Sequence, residues 1–481
     1  MKTTVFLLLL CGMAAAETIH VPLVSIPKEI SPAKTLDLSS AIIVNHLFEG
    51  LFSYDPSNKL TPNIVESFTI SPDGKTYTLR LKAGLKFSNG AAVTAALVKR
   101  SIEDSISILG EASKWAFGTL EGYGSFIGGK TFSISGIMVK GERVVDLKLM
   151  TPYSPILQVF VGPYFKIALK ENGKYFGTGP YRISGKTDSE ISLKLLPWRK
   201  AETGIDEIVF SKVDSRKEMI SPGNLKKYDV IEVLSAWKIK TERHNEIEFP
   251  YLQANLILFN TQRGVFRGRA ARNSFYKMLR KSIDFKWFGW QPTAVGFPFA
   301  NNLFKDPPET LEKHIFKTPV TVYYTDSVAT FNDAGIQRLK EKLRQYGAEA
   351  VFTKIPISEL LAKFKTLDFD AALLGYVPDI IDPDGLFFPL LGSRQQFNFT
   401  GYSSPQVDRL LQQGRSETDV RKRFAVYQEL TSRVYEDCPV GFLGATHGRL
   451  LVSKKFAPPH VNSLGIFGFQ LNTLKTTEKT R

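Results

Sequence analysis

The second half of the chain predicts an α/β fold with a parallel sheet and helices on its faces. Three segments of strand character, VTVYYTD, AEAVFTKI and DAALLGY, alternate with two segments whose apolar residues recur at helical spacing. A β-α-β-α-β order favours parallel strands, because each helix supplies a crossover connection. At 481 residues the chain is long for one hydrophobic core, so we expect two or three compact units.

The two helices of this run are predicted from their apolar faces. These faces are Ile336, Leu339, Leu343 and Tyr346 in the first helix, and Leu360, Leu361, Phe364 and Leu367 in the second. We expect the first helix to end at Gly347, because glycine adopts the left-handed conformation that ends many helices. Ser358 is the predicted N-cap of the second.

Two more helices are predicted near the C-terminus. The first has Ser404 as its N-cap, Pro405 at its first position and Gly414 as its end. The second covers Asp419–Glu436, and its predicted apolar face is Val420, Phe424, Tyr427, Leu430 and Val434.

The N-terminal half has a different pattern, of mixed strands and turns. TYTLRL alternates, so Tyr77, Leu79 and Leu81 are expected on one buried face. A helix is predicted to begin near Thr94 as its N-cap, and VVDLKLM and EISLKLLP are predicted strands.

Composition is that of an ordinary globular protein, with 43% hydrophobic and 23% charged residues. The net charge is +15, but the positive charges are spread along the chain. Their densest cluster lies at 263–281, and we interpret it as a solvated helix face with its connecting loop. The charge pattern therefore does not favour a nucleic-acid partner.

Residues 1–16 have the pattern of an export signal: Lys2, an apolar run at Val5–Leu10, and small residues at Ala14–Ala16. We expect Glu17 to be the first mature residue and the protein to be periplasmic. Lipid attachment at Cys11 is a second-ranked alternative, because the preceding residues are bulky leucines.

Removal of the signal leaves Cys438 as the single cysteine, which excludes an intramolecular disulfide. It lies at the end of a predicted amphipathic helix, beside a proline. We expect Cys438 to be a small buried hydrophobic residue and not a nucleophile.

The segment GYVPDIIDPDG contains three acids, Asp379, Asp382 and Asp384, directly after the third strand of the parallel run. Ligands of open α/β sheets bind outside the carboxyl ends of strands, so a cleft is expected here. The spacing does not fit a calcium loop, which needs alternating acids and a glutamate at the twelfth position. A polar turn, with Asp382 or Asp384 bonding local backbone N–H groups, is an alternative.

Other chemical sites have little support. The six histidines are scattered, so no transition-metal site and no cofactor is predicted, although His46 and His447 could meet in the fold. A glycosidase pair would need a second acid far from this short loop. No phosphate loop, nucleophile elbow or zinc-protease helix is present in the sequence.

The chain resembles the bacterial extracellular solute-binding proteins of family 5, the dipeptide- and oligopeptide-binding proteins of ABC importers. Six segments carry this resemblance in order along the chain. They are NHLFEGLFSYD (45–55), LTPNIVESFTISPDGKTYTLRLKAGLKFSNG (60–90), GTGPYRI (177–183), ILFNTQRGVF (257–266), GYVPDIIDPDG (375–385) and FNFTGYSSPQVDRLL (397–411). The chain departs from the family pattern at Tyr376, where the family has tryptophan, and at Ala96 and Leu97, where acidic residues are usual.

The resemblance implies a two-lobed periplasmic binding protein fold of class II, type C. Lobe I would comprise 17–255, with an extra subdomain at about 48–165, and lobe II would comprise 256–445. Residues 446–481 would return to lobe I and form the tail. The lobes would close on the ligand about a hinge.

The resemblance also implies the site and its partners. Asp379 would receive the ammonium of a peptide-like solute, Tyr376 would pack on that solute, and the backbone of Gly375 and Val377 would bond its main chain. The protein would act as a monomer that delivers the solute to ABC importer permease subunits, without enzymatic activity. An exported hydrolase using Asp379, or a sensor or chaperone of the same fold, are the alternatives.

Overall fold

A computed structural model gives the fold. It describes residues 17–35, 37–234, 237–291, 316–325 and 331–477. The predicted signal at 1–16, the lipid-attachment alternative at Cys11 and the last four residues of the tail lie outside this described part.

The helices and strands are numbered in chain order over the described residues. The strands are β1 Glu17–Leu23, β2 Phe52–Tyr54, β3 Leu60–Pro62, β4 Val65–Ile70, β5 Thr76–Leu81, β6 Ile137–Val139, β7 Val144–Lys148, β8 Ala168–Glu171, β9 Lys174–Gly177, β10 Tyr181–Lys186, β11 Glu190–Leu195, β12 Ile205–Lys212, β13 Val230–Leu234, β14 His244–Phe259, β15 Trp290–Gln291, β16 Val320–Tyr324, β17 Ala350–Lys354, β18 Ala371–Tyr376 and β19 Val440–Ser453. The helices are α1 Leu38–Leu47, α2 Ala95–Leu109, α3 Lys114–Phe117, α4 Tyr123–Ile127, α5 Ile156–Val159, α6 Pro222–Lys227, α7 Arg269–Ser282, α8 Asp333–Gln345, α9 Ile357–Thr366, α10 Pro383–Leu391, α11 Pro405–Ser416 and α12 Val420–Asp437.

The largest sheet contains the predicted parallel run. Its strand order is β13-β19-β14-β18-β16-β17, with β15 also pairing to β19. The strand β16 is parallel to both β17 and β18, and helices α8 and α9 provide the crossovers. The predicted β-α-β-α-β unit is therefore confirmed, although β14 and β19 make the whole sheet mixed.

Two four-stranded sheets lie in the N-terminal half. One has the order β1-β12-β11-β10, with β1 parallel to β12. The other has the order β4-β5-β7-β6 and is antiparallel throughout. In β5, Tyr77, Leu79 and Leu81 are buried as their alternation predicts. This second sheet, with α2 to α5, lies within the range predicted as the extra subdomain.

The strands β14 and β19 are long and pair with each other from His244↔Ser453 to Leu258↔Val440. One end of this pair lies beside β13, and the other end lies beside β18. The predicted crossings between lobes, after Asn255 and after Ala445, fall almost opposite each other in this pair, since Ala254 pairs with Ala445. The lobe boundaries themselves stay a prediction.

Helix starts follow the capping residues in most cases. Thr94 and Ser404 accept hydrogen bonds from the backbone three residues on, as N-caps do. The prediction for Ser358 was wrong, because the helix begins two residues earlier than predicted, at Ile357, and Pro356 occupies the cap position. Proline holds an extended backbone there, so the chain turns into the helix immediately after it.

Helix ends and faces show further differences. Helix α8 ends at Gln345, two residues before Gly347, whose φ is +82°. Tyr346 lies beyond the last turn and is exposed, so its predicted place on the apolar face was wrong. Cys438 is buried as predicted, and burial raises the pKa of its thiol to about 12.

One member of the basic cluster at 263–281 is not solvated. Arg272 on α7 is buried, and its guanidinium donates to the carbonyls of Asp437 and Cys438 and to those of Phe266 and Arg267. Arg272 thus joins α7 to the end of α12, so the predicted solvated face was wrong at this residue.

The apolar core is divided among three large clusters. One joins the extra-subdomain range to side chains between 252 and 464, mostly from 355–442. A second lies between α1, the β1-β12-β11-β10 sheet and the C-terminal segment, and a third lies between α7, α8 and the parallel strands. The first cluster brings the extra-subdomain range against the acidic segment.

Candidate functional site

The acidic segment begins where β18 ends, at Tyr376, and leads into α10, which begins at Pro383. Asp382 is the N-cap of α10, and its carboxylate accepts a hydrogen bond from the backbone N–H of Asp384 at 2.9 Å. Proline at the first helical position suits this start, because its fixed φ is helical and its missing N–H is not needed. The strand before the acidic segment and the helix after it therefore hold its backbone in place at both ends.

Asp382 and Asp384 are buried and paired. Both oxygens of Asp382 accept from Arg423 of α12, at 2.5 and 2.7 Å, and Gln158 donates to one of them at 3.0 Å. Asp384 lies 3.2 Å from the guanidinium of Arg415. A buried carboxylate requires such partners, so these two acids have structural roles.

Asp379 differs from these two acids in having no partner among the described residues. Its side chain is exposed to solvent, and no described group donates a hydrogen bond or forms an ion pair with it. Protein nevertheless surrounds the carboxylate on most sides, and this desolvation raises its pKa from 3.8 to about 6. Its charge also contributes to raising the pKa of the neighbouring Tyr164 phenol to about 12, although burial is the larger cause. Asp379 is therefore a carboxylate without a counter-charge.

Asp379 and Tyr376 both line a cavity of about 660 Å³. The other walls come from two parts of the chain, the extra-subdomain range around Trp115 and the segment from α10 to α11. Phe388 and Phe397 add apolar surface. This volume is in the range of small-molecule pockets, and mixed apolar and charged walls are typical of them.

The charges in this cavity have both signs. Besides Asp379 it contains Glu111 with Lys114, 3.9 Å apart, and Arg394 from the segment between α10 and α11. Arg415 also lines it, but that guanidinium is already paired with Asp384. A solute with both a cationic and an anionic group would find complementary charges in this space.

Tyr376 is fixed in place by its hydroxyl, which donates to the carbonyl of Gly385 at 3.1 Å. Its ring lies 6.4 Å from the ring of Phe397 in an edge-to-face arrangement. The predicted site residues Gly375 and Val377 are half-buried, and they do not line this cavity. The structure thus brings together two of the four predicted site residues.

The backbone edge of β18 is another feature of the site. One edge pairs with β14 along the whole strand, whereas the other pairs with β16 only at Ala371 and Ala372. Among the described residues no strand covers that second edge from Leu373 to Tyr376. An uncovered edge presents backbone N–H and C=O groups that an extended ligand can bond.

Arg415 is a residue that the sequence reasoning missed. Its guanidinium lies 3.7 Å from the ring centre of Phe388 and 4.4 Å from that of Tyr153, and it donates to the carbonyl of Trp115 at 2.6 Å. It therefore joins α11 to the extra-subdomain range at the wall of the cavity. Because the helix was predicted to end at Gly414, Arg415 was not assigned to it.

That predicted end was wrong, since α11 continues to Ser416. Gly414 serves a packing purpose instead: a Cβ there would lie 2.9 Å from the ring of Tyr427. The glycine lets α11 and α12 approach closely, and this approach brings Arg415 and Arg423 to the acids of the segment.

Within the part of the chain that the structure describes, no group of three or more His, Cys, Asp or Glu side chains is placed to hold a metal ion. His46 and His447 have different surroundings: His46 is bonded to Ile42 and Leu471, and His447 lies 3.9 Å from Glu248. Of the helices that the structure describes, none combines the length and apolarity needed to cross a bilayer.

Comparison with known proteins identifies similar chains. Residues 59–277 match the family described as bacterial extracellular solute-binding proteins, family 5 Middle. The dipeptide-binding protein DppE of Bacillus subtilis is 24% identical over 452 residues, which cover 82% of this chain and 81% of DppE.

Solved structures share the fold. The ABC transporter substrate-binding protein CtaP of Listeria monocytogenes superposes with a TM-score of 0.79 at 18% identity, over 96% of this chain and 100% of CtaP. Haemophilus influenzae OppA, in complex with the peptide RPPGFSPFR, gives a TM-score of 0.76 at 17% identity, over 96% and 99% of the two chains. These likenesses confirm the predicted fold class.

Proposed function

We propose that this chain is a member of the bacterial extracellular solute-binding proteins of family 5 and that it captures a peptide-like solute for an ABC importer; its match over residues 59–277 and its fold support this. The observation that carries the proposal is the unpaired carboxylate of Asp379 in a cavity whose other nearby acids are paired. Relatives described as binding dipeptides and peptides support the choice of solute.

Asp379 is the proposed anchor for the ammonium of the solute. The carboxylate is desolvated and lacks a counter-charge in the free protein, so an incoming ammonium supplies the missing partner. A charge-assisted hydrogen bond at this point also orients the solute in one direction along the cavity. Arg394, which also lines the cavity, suits a carboxylate of the solute.

The backbone edge of β18 is the proposed contact for the solute's main chain. Its uncovered part includes Gly375, and Val377 follows directly. A solute lying along this edge would be bonded in the manner of an added strand, with the ring of Tyr376 packed against it. Gly375 and Val377 act through backbone groups in this arrangement, which does not require their side chains to line the cavity.

The remaining parts of the proposal concern the protein as a whole. The proposed lobes are 17–255, with an extra subdomain at about 48–165, and 256–445, with 446–481 returning to the first lobe. A monomer in the periplasm, exported by the signal at 1–16, would present the closed lobes to permease subunits. Binding without turnover is proposed, since the family consists of solute-binding proteins.

Calorimetry tests the anchor directly. A dipeptide library is titrated into the wild type and into Asp379→Asn, with Asp188→Asn, an exposed turn residue, as the matched control. We expect Asp379→Asn to weaken binding by about 2–5 kcal/mol, because it removes the charge that pairs with a buried ammonium. N-acetylated peptides should bind the wild type as weakly as free peptides bind the variant.

Two outcomes would contradict the proposal. Equal affinities of wild type and Asp379→Asn for every peptide would exclude the anchor role. Release of hydrolysed peptide, detected by mass spectrometry of the same mixtures, would favour the hydrolase alternative instead.

A further inference from the structure

A second cavity lies apart from the one that contains Asp379. Its volume is about 680 Å³, and the two cavities share no lining residue. The walls come from separate segments of the chain. They include the end of α1 and the following turn, the loop at 82–86, Val161 and Lys166, the segment at 198–202 and the C-terminal segment at 462–473. The proposed peptide site makes no use of this space.

Lys166 lines this cavity with a buried ammonium. The residue is 5% exposed, and its Nζ donates to Oδ1 of Asn45 at 2.9 Å. No other hydrogen bond and no ion pair of this ammonium is present among the described residues. An ammonium has three hydrogens to donate, so two of them have no acceptor among the described residues.

Two amide atoms on the same cavity are also unsatisfied. Nδ2 of Asn45 and Oδ1 of Asn472 are buried and have no hydrogen-bond partner. Each such buried group carries a desolvation cost that a ligand could remove. The wall therefore offers donors at Lys166 and Asn45, and an acceptor at Asn472.

Among the charged side chains that line this cavity, the buried Lys166 carries a positive charge that no acidic group in the described part of the chain pairs with. Arg199 is paired with Glu49 at 2.7 Å and with Glu202 at 2.5 Å. Glu202 is 46% exposed, so solvent screens its charge. Lys82 and Lys86 are exposed on the same cavity and add positive charge. The buried Lys166 and the half-buried pair Arg199 and Glu49 thus carry one excess positive charge.

We propose that this cavity is a second binding site, for a small monocarboxylate with a hydroxyl or amino group beside its carboxylate. The carboxylate would accept from Lys166 and Asn45, and the neighbouring O–H or N–H group would donate to Oδ1 of Asn472. One excess buried charge matches a monoanion. A phosphate dianion would bring one negative charge more than this excess compensates.

The test uses L-lactate as the probe, with lactamide and inorganic phosphate as comparisons. Each is titrated by NMR into the full chain, as the wild type and as Lys166→Met, Asn472→Asp and Asp379→Asn. We expect lactate to bind the wild type, and its affinity to fall roughly tenfold or more when Lys166 is neutralised or a carboxylate replaces Asn472. Lactamide, which lacks the charge, should bind about as weakly as lactate binds Lys166→Met.

Several results would overturn the site. They are no lactate binding to the wild type at millimolar concentration, tighter binding of phosphate than of lactate, and equal lactate affinity in wild type and Lys166→Met. Loss of lactate binding in Asp379→Asn alone would place the probe in the other cavity. If Lys166→Met does not fold, Asn472→Asp decides, because Asn472 is only half-buried.

Discussion

Asp379 and Asp382 are three residues apart, and the protein surrounds them in opposite ways. Asp382 accepts from Arg423 with both oxygens and caps α10, whereas Asp379 lines a cavity and has no partner in the part of the chain that the structure describes. The carboxylate of Asp382 has its hydrogen-bond partners within the protein, whereas that of Asp379 is left to pair with a bound solute. The difference teaches that acids in one short segment can be divided between holding a backbone and holding a solute.

The largest effect is expected from breaking the ion pair between Asp382 and Arg423. Arg423→Ala leaves the carboxylate of Asp382 buried without its cation, and we expect this to lower the free energy of unfolding by about 3–5 kcal/mol. Urea denaturation measures the change. Arg421→Ala, at an exposed position on the same helix, is the control and should change stability by less than about 0.5 kcal/mol.

The unpaired carboxylate of Asp379 is tested by the pH dependence of solute affinity. The pKa of Asp379 is about 6 in the free protein, so its carboxylate becomes protonated as the pH falls through this value. A cationic solute needs the charged form, and we expect its affinity at pH 5 to be about tenfold weaker than at pH 7.5. Calorimetry at both pH values should show this slope in the wild type.

The same titration in Asp379→Asn should be nearly flat between these pH values. An equal slope in the variant would assign the titration to another group and would remove the basis for the anchor.

The smallest expected effect concerns the residue that joins the two sides. Tyr376→Phe removes the hydroxyl that donates to the carbonyl of Gly385, and we expect a loss of about 1 kcal/mol in the free energy of unfolding. Peptide affinity should change less, because the ring that packs on the solute is retained. A larger loss in affinity than in stability would show that the hydroxyl itself contacts the solute.

The sequence predicted the position of the acidic segment from local pattern alone. The structure confirms several features that depend only on neighbouring residues. They are the strand DAALLGY, its place in a β-α-β-α-β run, and the caps at Thr94 and Ser404. Local preference and tertiary structure agree at these points. The α/β fold class was therefore accessible from periodicity.

The partners of the acids were not accessible in this way. Arg415 and Arg423 are 31 and 41 residues beyond Asp384 and Asp382 along the chain, and both are buried where an apolar face or a helix end was predicted. A buried ion pair has no periodic signature, since each half alone is typical of a solvated surface. Gly414 was misread for the same reason. Glycine is required there because the ring of Tyr427, on another helix, leaves no room for a side chain.

The pair formed by β14 and β19 has a mechanical consequence. Two strands joined by backbone hydrogen bonds behave as one elastic ribbon, and the ladder between them is interrupted between Pro250 and Ala254 and again after Asn255. Leu252, inside the first interruption, donates its N–H to Ser463 and not to β19. Bending stiffness is lowest where these hydrogen bonds are missing, so a change of angle between the two ends of the ribbon will concentrate its curvature there, directly beside Gly375 and Tyr376, which pair with Asn255 and Ala254.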